Sequence, residues 1–441
     1  MRRPDAVLAL WFVLLTAPAV AGELRATDPE IAELKLEIQE LRQMLLALEK
    51  RLVELDRYGA APQPARTTLP VPTPQPARSA PTWRENLQNP AIGVVFLATG
   101  NTSLSHENEV NGFDLSEAEI SFQSVVDPLA KVDLFIAFPA DESPEVEEAY
   151  ATTLSLPGPL QLRGGRFKTR FGKWNTLHNH AFFTVDRPDA LELLLGEESL
   201  TYDGISFSVL IPNPWDVYLE SVTEIGTARE GVSFNSSERN LTYHQHLSAL
   251  FDLTANATLE VGLSAARGRT GPSGQLEENI VAAGLGSALD PLDELDSMLL
   301  GADITYKWKP LQRNAYRSFL WQTEVLSSHQ DRQELTVRDT LETESVSSLG
   351  GYSYAEYQFT RRWRLGVRFD WSEFPDDDED RIRAGSAVAR FRFSEFQEIR
   401  FQYKYTDRND GAAMRFDDET DDHRIFLQWI PLIGAHGAHK Y

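Results

Sequence analysis

The chain has 441 residues, a formal net charge of −24 and no cysteine. The negative charge argues against a nucleic-acid partner, and the lack of cysteine excludes disulfides and Cys-ligated metals. Hydrophobic residues make up 42% of the chain, which fits a secreted all-β protein or a membrane barrel in which every second strand residue faces lipid.

Residues 1–21 predict a signal peptide. Arg2 and Arg3 form a basic start, an apolar run covers residues 6–16, and Ala19-Val20-Ala21 is a small-residue cleavage site. The apolar run is too short to span a bilayer as a permanent helix. We therefore expect an exported protein whose mature chain begins at Gly22.

Residues 28–58 predict a coiled-coil stalk. Their apolar positions are spaced alternately three and four apart, which is the a/d seam of a heptad repeat. The seam consists of Ile31, Leu34, Ile38, Leu41, Leu45, Leu48, Leu52 and Leu55. The seam favours self-association; the alternative is a single amphipathic helix packed on its own chain. Leu at the later a positions leaves dimer and trimer both open.

Residues 59–90 predict a semi-rigid, extended linker. From Pro62 to Pro81, seven prolines stand among Ala, Thr, Gln and Arg, a composition typical of a polyproline-type spacer. These prolines are Pro62, Pro64, Pro70, Pro72, Pro74, Pro76 and Pro81. The linker would separate the stalk from the domain that follows.

Residues 91–441 predict a sixteen-stranded antiparallel β-barrel. Sixteen alternating segments are joined by seven tight turns and eight long links, centred near residues 106, 142, 185, 232, 282, 340, 378 and 414. Turns and long links alternate strictly, as sixteen strands require when both termini lie on one side. The alternation is clear where Leu365, Val367 and Phe369 oppose Arg364 and Arg368. The predicted fold class is an all-β transmembrane barrel preceded by a periplasmic coiled-coil helix.

The link at residues 171–199 is the longest among the first five strands and follows a basic strand. That strand carries Arg163 and then Gly164-Gly165, which can form a bulge. Three cations, Arg166, Lys168 and Arg170, are expected on one face, with Lys173 just beyond. Residues 188–195 of the link predict a short helix.

Two sets of motifs resemble porins. The run Gly165-Arg166-Phe167-Lys168 through Phe171-Gly172, followed by Asp186-Arg187-Pro188, resembles the strand-plus-loop signature of phosphate-selective (O/P-type) porins. The barrel as a whole resembles a proteobacterial porin-like group, some members of which are labelled zinc-regulated outer-membrane receptors. The blocks that carry this resemblance are residues 113–128, 146–149, 178–188 and 434–439.

The resemblance implies a location in a Gram-negative outer membrane, with the stalk in the periplasm. It also implies a trimer, and a third long loop that folds inward and constricts the lumen. An N-terminal coiled coil before the barrel occurs in porins of this general kind.

Charged residues on inward positions would set the selectivity of such a lumen. Nine cations would form a positive arc suited to phosphate and carboxylate solutes. They are Arg166, Lys168, Arg170, Arg364, Arg368, Arg390, Arg392, Arg400 and Lys404. Opposing them are Glu117, Glu119, Asp133 and Glu147. The arc favours anions; the alternatives are pairing across the lumen with little net selectivity, or a preference for cations.

Histidines occur in three close pairs, which are His178 with His180, His244 with His246, and His436 with His439. Imidazole pairs can bind zinc, but no pair has an evident third ligand in the sequence. We expect no metal site, and the pair in loop 171–199 is the best candidate. Acidic runs such as residues 376–380 predict solvated outer loops or, alternatively, loops bridged by divalent cations to lipopolysaccharide.

No nucleophile constellation and no nucleotide-binding loop stands out, so we predict neither an enzyme nor a cofactor. The sequence predicts an outer-membrane porin for passive diffusion of small hydrophilic solutes. Its expected partners are outer-membrane lipid, lipopolysaccharide and two further copies of the chain. The alternatives are a dedicated phosphate or metal channel, and an envelope tether anchored by its barrel.

Overall fold

The computed structural model describes residues 90–434 except 105–111, 141–142, 197, 230–231, 235–239, 272–275, 277–279, 281–283, 285–293, 313–314, 337–339 and 417–418. The predicted signal peptide and stalk, the linker up to Asn89 and the pair His436 and His439 lie outside the described residues. Among the described residues, no helix is long and apolar enough to cross a membrane.

Sixteen strands make up the described fold. They are β1 Ala91–Ser103, β2 Gly112–Asp127, β3 Ala130–Pro139, β4 Glu145–Thr153, β5 Leu160–Lys168, β6 Thr201–Leu210, β7 Tyr218–Arg229, β8 Leu241–Thr254, β9 Ala257–Thr270, β10 Leu295–Trp308, β11 Ser318–Leu335, β12 Leu341–Gln358, β13 Trp363–Glu373, β14 Arg381–Ser394, β15 Gln397–Arg408 and β16 Asp421–Gly434. Short helices occur at Asn179–Ala181 (3-10), at Asp189–Leu195 (α1) and at Asp410–Ala413 (α2).

The strands form one closed antiparallel barrel in which each strand pairs with its neighbours in sequence. Strand β16 closes the barrel on β1, from Gly93 opposite Gly434 to Ser103 opposite Arg424. Their ladder skips Pro431, which has no N–H to donate, and then continues to Gly434. The predicted all-β, sixteen-stranded fold is confirmed, and the last strand continues past Ile430 to Gly434.

The two faces of the barrel differ in chemistry. On β13, Leu365, Val367 and Phe369 are 52–59% exposed on the outer face, whereas Arg368 and Asp370 are buried on the inner face. This alternation is the one that the sequence predicts. An apolar outer surface around a polar interior is typical of a barrel that stands in lipid.

The longest strands differ from their predicted lengths. The segment near residue 340 was expected to be a long link, but β11 and β12 pair without interruption as far as Leu335 opposite Leu341. The added pairs, such as Arg332 opposite Glu344, are mostly polar on both faces. A strand without an apolar face has no hydrophobic alternation, so the sequence pattern underestimates its length.

The glycine pair in β5 does not form the expected bulge. The described pairs of β5 with β4 and β6 run through Gly164 and Gly165 in continuous register. Gly165 is nevertheless required, because its φ is +132° and an added Cβ would lie 2.2 Å from the carbonyl oxygen of Ala149.

Candidate functional site

The chain between β5 and β6, residues 169–200, lies inside the barrel, and we call it the inner loop. Asn179 Nδ2 donates to Glu117 Oε2 of β2 at 2.6 Å, and the backbone N–H of Trp174 donates to Glu324 Oε1 of β11 at 3.0 Å. Arg400 of β15 donates from Nη2 to a carbonyl of the same loop at 2.7 Å. The loop therefore contacts opposite walls of the lumen.

An apolar core holds the inner loop in place. Trp174 is completely buried, with its ring 5.0 Å from that of Phe182 and 5.6 Å from that of Tyr352 on β12. Phe183 stacks on Tyr354 with the ring centroids 5.2 Å apart. The same cluster includes Phe167, Phe171, Leu191, Leu194, Leu195, Leu299 and Leu326. The loop is thus packed like a protein interior, which the sequence reasoning missed although apolar runs in the loop could have indicated it.

Helix α1 and two polar side chains tie the ends of the inner loop together. Arg187 donates to the carbonyl of Gly196 at 2.7 Å and to Asn175 Oδ1 at 3.3 Å. Asn175 Nδ2 in turn donates to the carbonyls of Thr169 and Leu200, both at 2.9 Å. Burial lowers the pKa of Arg187 to about 10, so its guanidinium still carries its charge at neutral pH. The predicted helix at residues 188–195 is confirmed.

Asp186 anchors the inner loop to the opposite wall. Its Oδ2 lies 2.8 Å from Arg368 Nη2 of β13 and 2.8 Å from Lys404 Nζ of β15. Burial alone would raise the pKa of Asp186, but Arg368 and Lys404 hold it well below its usual range. Because that pKa is depressed, the stabilising ion pair is present at neutral pH and is lost only in strongly acidic solution.

Each of the nine cations of the predicted positive arc contacts a carboxylate. The pairs are Arg166–Asp203, Lys168–Glu147, Arg170–Glu220, Arg364–Glu356, Arg368–Asp186, Arg390–Glu356, Arg392–Glu398, Arg400–Glu398 and Lys404–Asp186, at 2.8–3.6 Å. Of the four carboxylates predicted to oppose the arc, Glu147 alone takes part in these nine pairs, so most of the pairs form along the wall or with the inner loop instead of across the lumen. The carboxylates of Glu356 and Glu398 were not identified from the sequence, because their position beside the arginines depends on strand register.

Arg166 is not where the sequence predicts it. Phe167 lies in the apolar core inside the barrel, and its neighbour Arg166 instead binds Asp203 at 2.8 Å and the carbonyl of Val146 at 2.8 Å. It therefore lies at the loop end of β4, β5 and β6, apart from Arg170. The reason is the inward turn of the chain at the end of β5, which places the buried Lys168 next to the buried Phe167.

Three carboxylates surround the imidazole of His178. Its Nδ1 lies 2.6 Å from Glu147 Oε2 and 3.1 Å from Glu119 Oε2, and its Nε2 lies 2.9 Å from Glu148 Oε2. His180 Nδ1 lies 3.4 Å from Glu119 Oε2. Burial and Lys168 favour the neutral ring, but the carboxylates raise the pKa of His178 well above its usual value. The role of Glu148 was missed from the sequence.

The second histidine pair has a different environment. His244 Nδ1 lies 2.8 Å from Glu224 Oε2, and His246 Nδ1 lies 2.9 Å from Ser264 Oγ. Among the described residues, the group of three metal-binding donors within 4.8 Å of one another consists of Glu119, Glu147 and His178. The structure therefore singles out His178 of the inner-loop pair.

A charged cavity of about 640 Å³ lies between the inner loop and the turn end of the barrel. Its charged lining consists of Lys131, Arg163, Lys168, Arg170 and Lys173 against Asp133, Glu148, Glu220 and Glu260, together with His178 and His246. Several of these groups contact one another. Lys173 contacts Glu260, and Lys131 lies 2.9 Å from Asp133. The guanidinium of Arg163 lies 4.4 Å from the centre of the Tyr150 ring. A smaller cavity of about 50 Å³ at the loop end also touches Lys168. Lys168 thus lies where the two cavities approach each other.

Comparison with known proteins supports the fold. No protein-family model matches the chain. An uncharacterized protein of Aquifex aeolicus is 28% identical over 376 residues, which cover 79% of this chain and 74% of the relative. OmpF of Salmonella typhi, solved in complex with daunomycin, is 12% identical with a TM-score of 0.51, over 79% of this chain and 98% of that one. An anion-selective porin of Comamonas acidovorans is 6% identical with a TM-score of 0.49, over 78% and 98%. The likeness to OmpF shows that the chain has the fold of an outer-membrane porin barrel.

Proposed function

We propose that the chain is an outer-membrane porin through which small hydrophilic solutes diffuse passively, with the inner loop as the constriction. The observation that carries this proposal is a loop fixed to opposite walls of a closed barrel, next to a charged cavity of about 640 Å³. An apolar outer face suits lipid, and a polar, narrow interior suits water and small solutes.

The selectivity of this channel should be weak. Five cationic side chains and four carboxylates line the large cavity, and the cations of the predicted arc all contact carboxylates. Charges that are paired in contact largely cancel each other, so the lumen has no large excess of either sign. This supports a nearly neutral pore with at most a modest preference for anions.

Asp186→Asn is expected to shift the reversal potential under a salt gradient towards anion selectivity. The substitution removes the carboxylate that Arg368 and Lys404 share, and so adds one net positive charge to the lumen. Arg368 keeps its ion pair with Asp370 and Lys404 keeps its pair with Asp189. The matched control is Asp296→Asn, because Asp296 is half exposed and pairs with Arg269 outside the lumen. An unchanged reversal potential in Asp186→Asn would show that solutes do not pass this anchor.

We further propose that the chain assembles as a homotrimer in the outer membrane, with contacts to lipid and lipopolysaccharide and with its stalk in the periplasm. The heptad seam from Ile31 to Leu55 would support this assembly. A stalk of this kind adds self-association without lining the pore, so it should not be needed for conduction.

Purified full-length protein in a planar bilayer tests the proposed function. We expect stable conductance steps in groups of three, and deletion of residues 28–58 should keep the conductance while weakening the grouping into threes. A folded, heat-modifiable barrel that does not conduct would contradict the porin proposal. That outcome, together with an envelope defect caused by the deletion alone, would favour a tether.

A further inference from the structure

We propose that the inner loop carries a binding site for a late first-row divalent metal ion, for which Zn²⁺ is the suitable probe. Its ligands would be His178 and His180 of the inner loop, Glu119 of β2 and Glu147 of β4. The donor atoms of Glu119, Glu147 and His178 already lie within 4.8 Å of one another. All four side chains are at least nine-tenths buried, so they form an enclosed site.

The spacing of the donor atoms suits a tetrahedral ion. His178 Nδ1 lies 2.6 Å from Glu147 Oε2 and 3.1 Å from Glu119 Oε2, and His180 Nδ1 lies 3.4 Å from the same Glu119 oxygen. Bonds of about 2.0–2.1 Å to zinc place tetrahedral ligand atoms roughly 3.3 Å apart. The distances from Glu119 match this spacing, whereas His178 and Glu147 would have to move apart by about 0.7 Å. His180 lies outside the group whose donor atoms are all within 4.8 Å of one another, so its ring would have to move further to complete the site.

The mixture of donors decides the class of metal. Two imidazole nitrogens with two carboxylates suit zinc and its neighbours, whereas Mg²⁺ and Ca²⁺ prefer oxygen ligands alone. Cysteine is absent from the chain, so a thiolate site for softer ions is excluded.

A second, independent feature points to the same site. Glu148 Oε2 lies 2.9 Å from His178 Nε2, the ring nitrogen on the side opposite to the proposed ligand atom. Glu148 is itself held in place, because its Oε1 accepts the backbone N–H of Lys168 at 2.8 Å. A carboxylate that receives the other N–H of a histidine is the usual support of a zinc-binding imidazole, since it fixes the tautomer and the ring orientation.

The charge of the surroundings also favours a cation. Glu117, Glu119, Glu147 and Glu148 are all buried around the two histidines. Lys168 approaches them, with its Nζ 3.4 Å from Glu147 Oε1. A buried group of carboxylates in excess over nearby cations is costly unless a further positive charge compensates it. A divalent ion at His178 Nδ1 would supply that charge.

The position of the site gives it a consequence for the channel. It joins the inner loop to β2 and β4, and it lies beside Lys168, which both cavities touch. Metal ions can approach from either cavity, and a bound ion would fix the loop against the wall there. We expect Zn²⁺ to reduce the conductance of the wild type and to leave that of His178→Ala unchanged.

Isothermal titration of folded, full-length protein in detergent with ZnCl₂ tests the site directly. The background carries His436→Ala and His439→Ala, so that the C-terminal pair cannot contribute. We expect one Zn²⁺ per chain and no competition from an excess of Mg²⁺. His178→Ala should abolish this binding, and Glu148→Gln should weaken it on the order of tenfold. His244→Ala is the matched control, because His244 is equally buried and contacts the carboxylate of Glu224.

The outcomes separate clearly. Heat-modifiable migration shows whether each variant is folded, and Glu148→Gln keeps the test informative if His178→Ala does not fold. X-ray absorption at the zinc edge should show nitrogen and oxygen ligands. Folded protein that binds no stoichiometric Zn²⁺, or variants that bind it as tightly as the parent, would overturn the proposal. Binding is measured without any conductance, so this result stands apart from the porin proposal.

Discussion

Replacing residues 176–196 with a short glycine-serine linker is expected to raise single-channel conductance several-fold and to make the pore clearly anion-selective. The replaced segment contains the anchor Asp186, helix α1 and the carbonyls that accept from Arg400. Its removal widens the lumen and leaves Arg368 and Lys404 without the loop carboxylate that they now share. Conductance and reversal potential in a planar bilayer measure both effects.

The matched control for this experiment is deletion of residues 337–339 between β11 and β12, which leaves two residues to form the turn. That segment follows a ladder paired as far as Leu335 opposite Leu341, so its loss should leave the lumen unchanged. If the loop replacement folds and conducts like the wild type, the inner loop does not limit the passage of ions and the proposed constriction is wrong.

Trp174→Ala is expected to weaken the docking of the inner loop by about 3–5 kcal/mol, the usual loss when a buried tryptophan is truncated. Trp174 is completely buried against Phe182, Phe183 and Tyr352, and much of the apolar core depends on it. The loosened loop should make the open-channel current noisier. It should also expose the peptide bonds after Arg170 and Lys173 to trypsin.

The control for this substitution is Trp215→Ala, because Trp215 is 76% exposed. Limited proteolysis of the folded barrels in detergent should then cleave Trp174→Ala faster than either Trp215→Ala or the wild type. Trp174→Phe should restore most of the protection, since an aromatic ring again fills the site. Equal resistance in all four proteins would show that the hydrogen bonds and ion pairs of the loop hold it without the tryptophan.

The sixteen strands and their order could be predicted from the sequence because each strand carries its own signal. Alternation along β13 and β15 requires only that one face of a strand meets lipid and the other meets water. The short helix α1 could be predicted in the same way, since its pattern lies within eight residues. Where a strand rises beyond the apolar band, as in β11 and β12, that signal disappears and the predicted bounds were wrong.

The contacts between side chains inside the lumen were decided only by the tertiary structure. His178 meets Glu119 and Glu147 because β2, β4 and the inner loop come together in space, 59 and 31 residues apart in the chain. Likewise, the arginines of the predicted arc meet Glu356 and Glu398 because neighbouring strands are in a particular register. By itself the sequence determined which residues of the regular strands face inward, since that depends on local periodicity. Arg166, beside the inward turn at the end of β5, is an exception. Which of them touch depends on register and on the path of the loop, and so it was decided by contacts between distant segments.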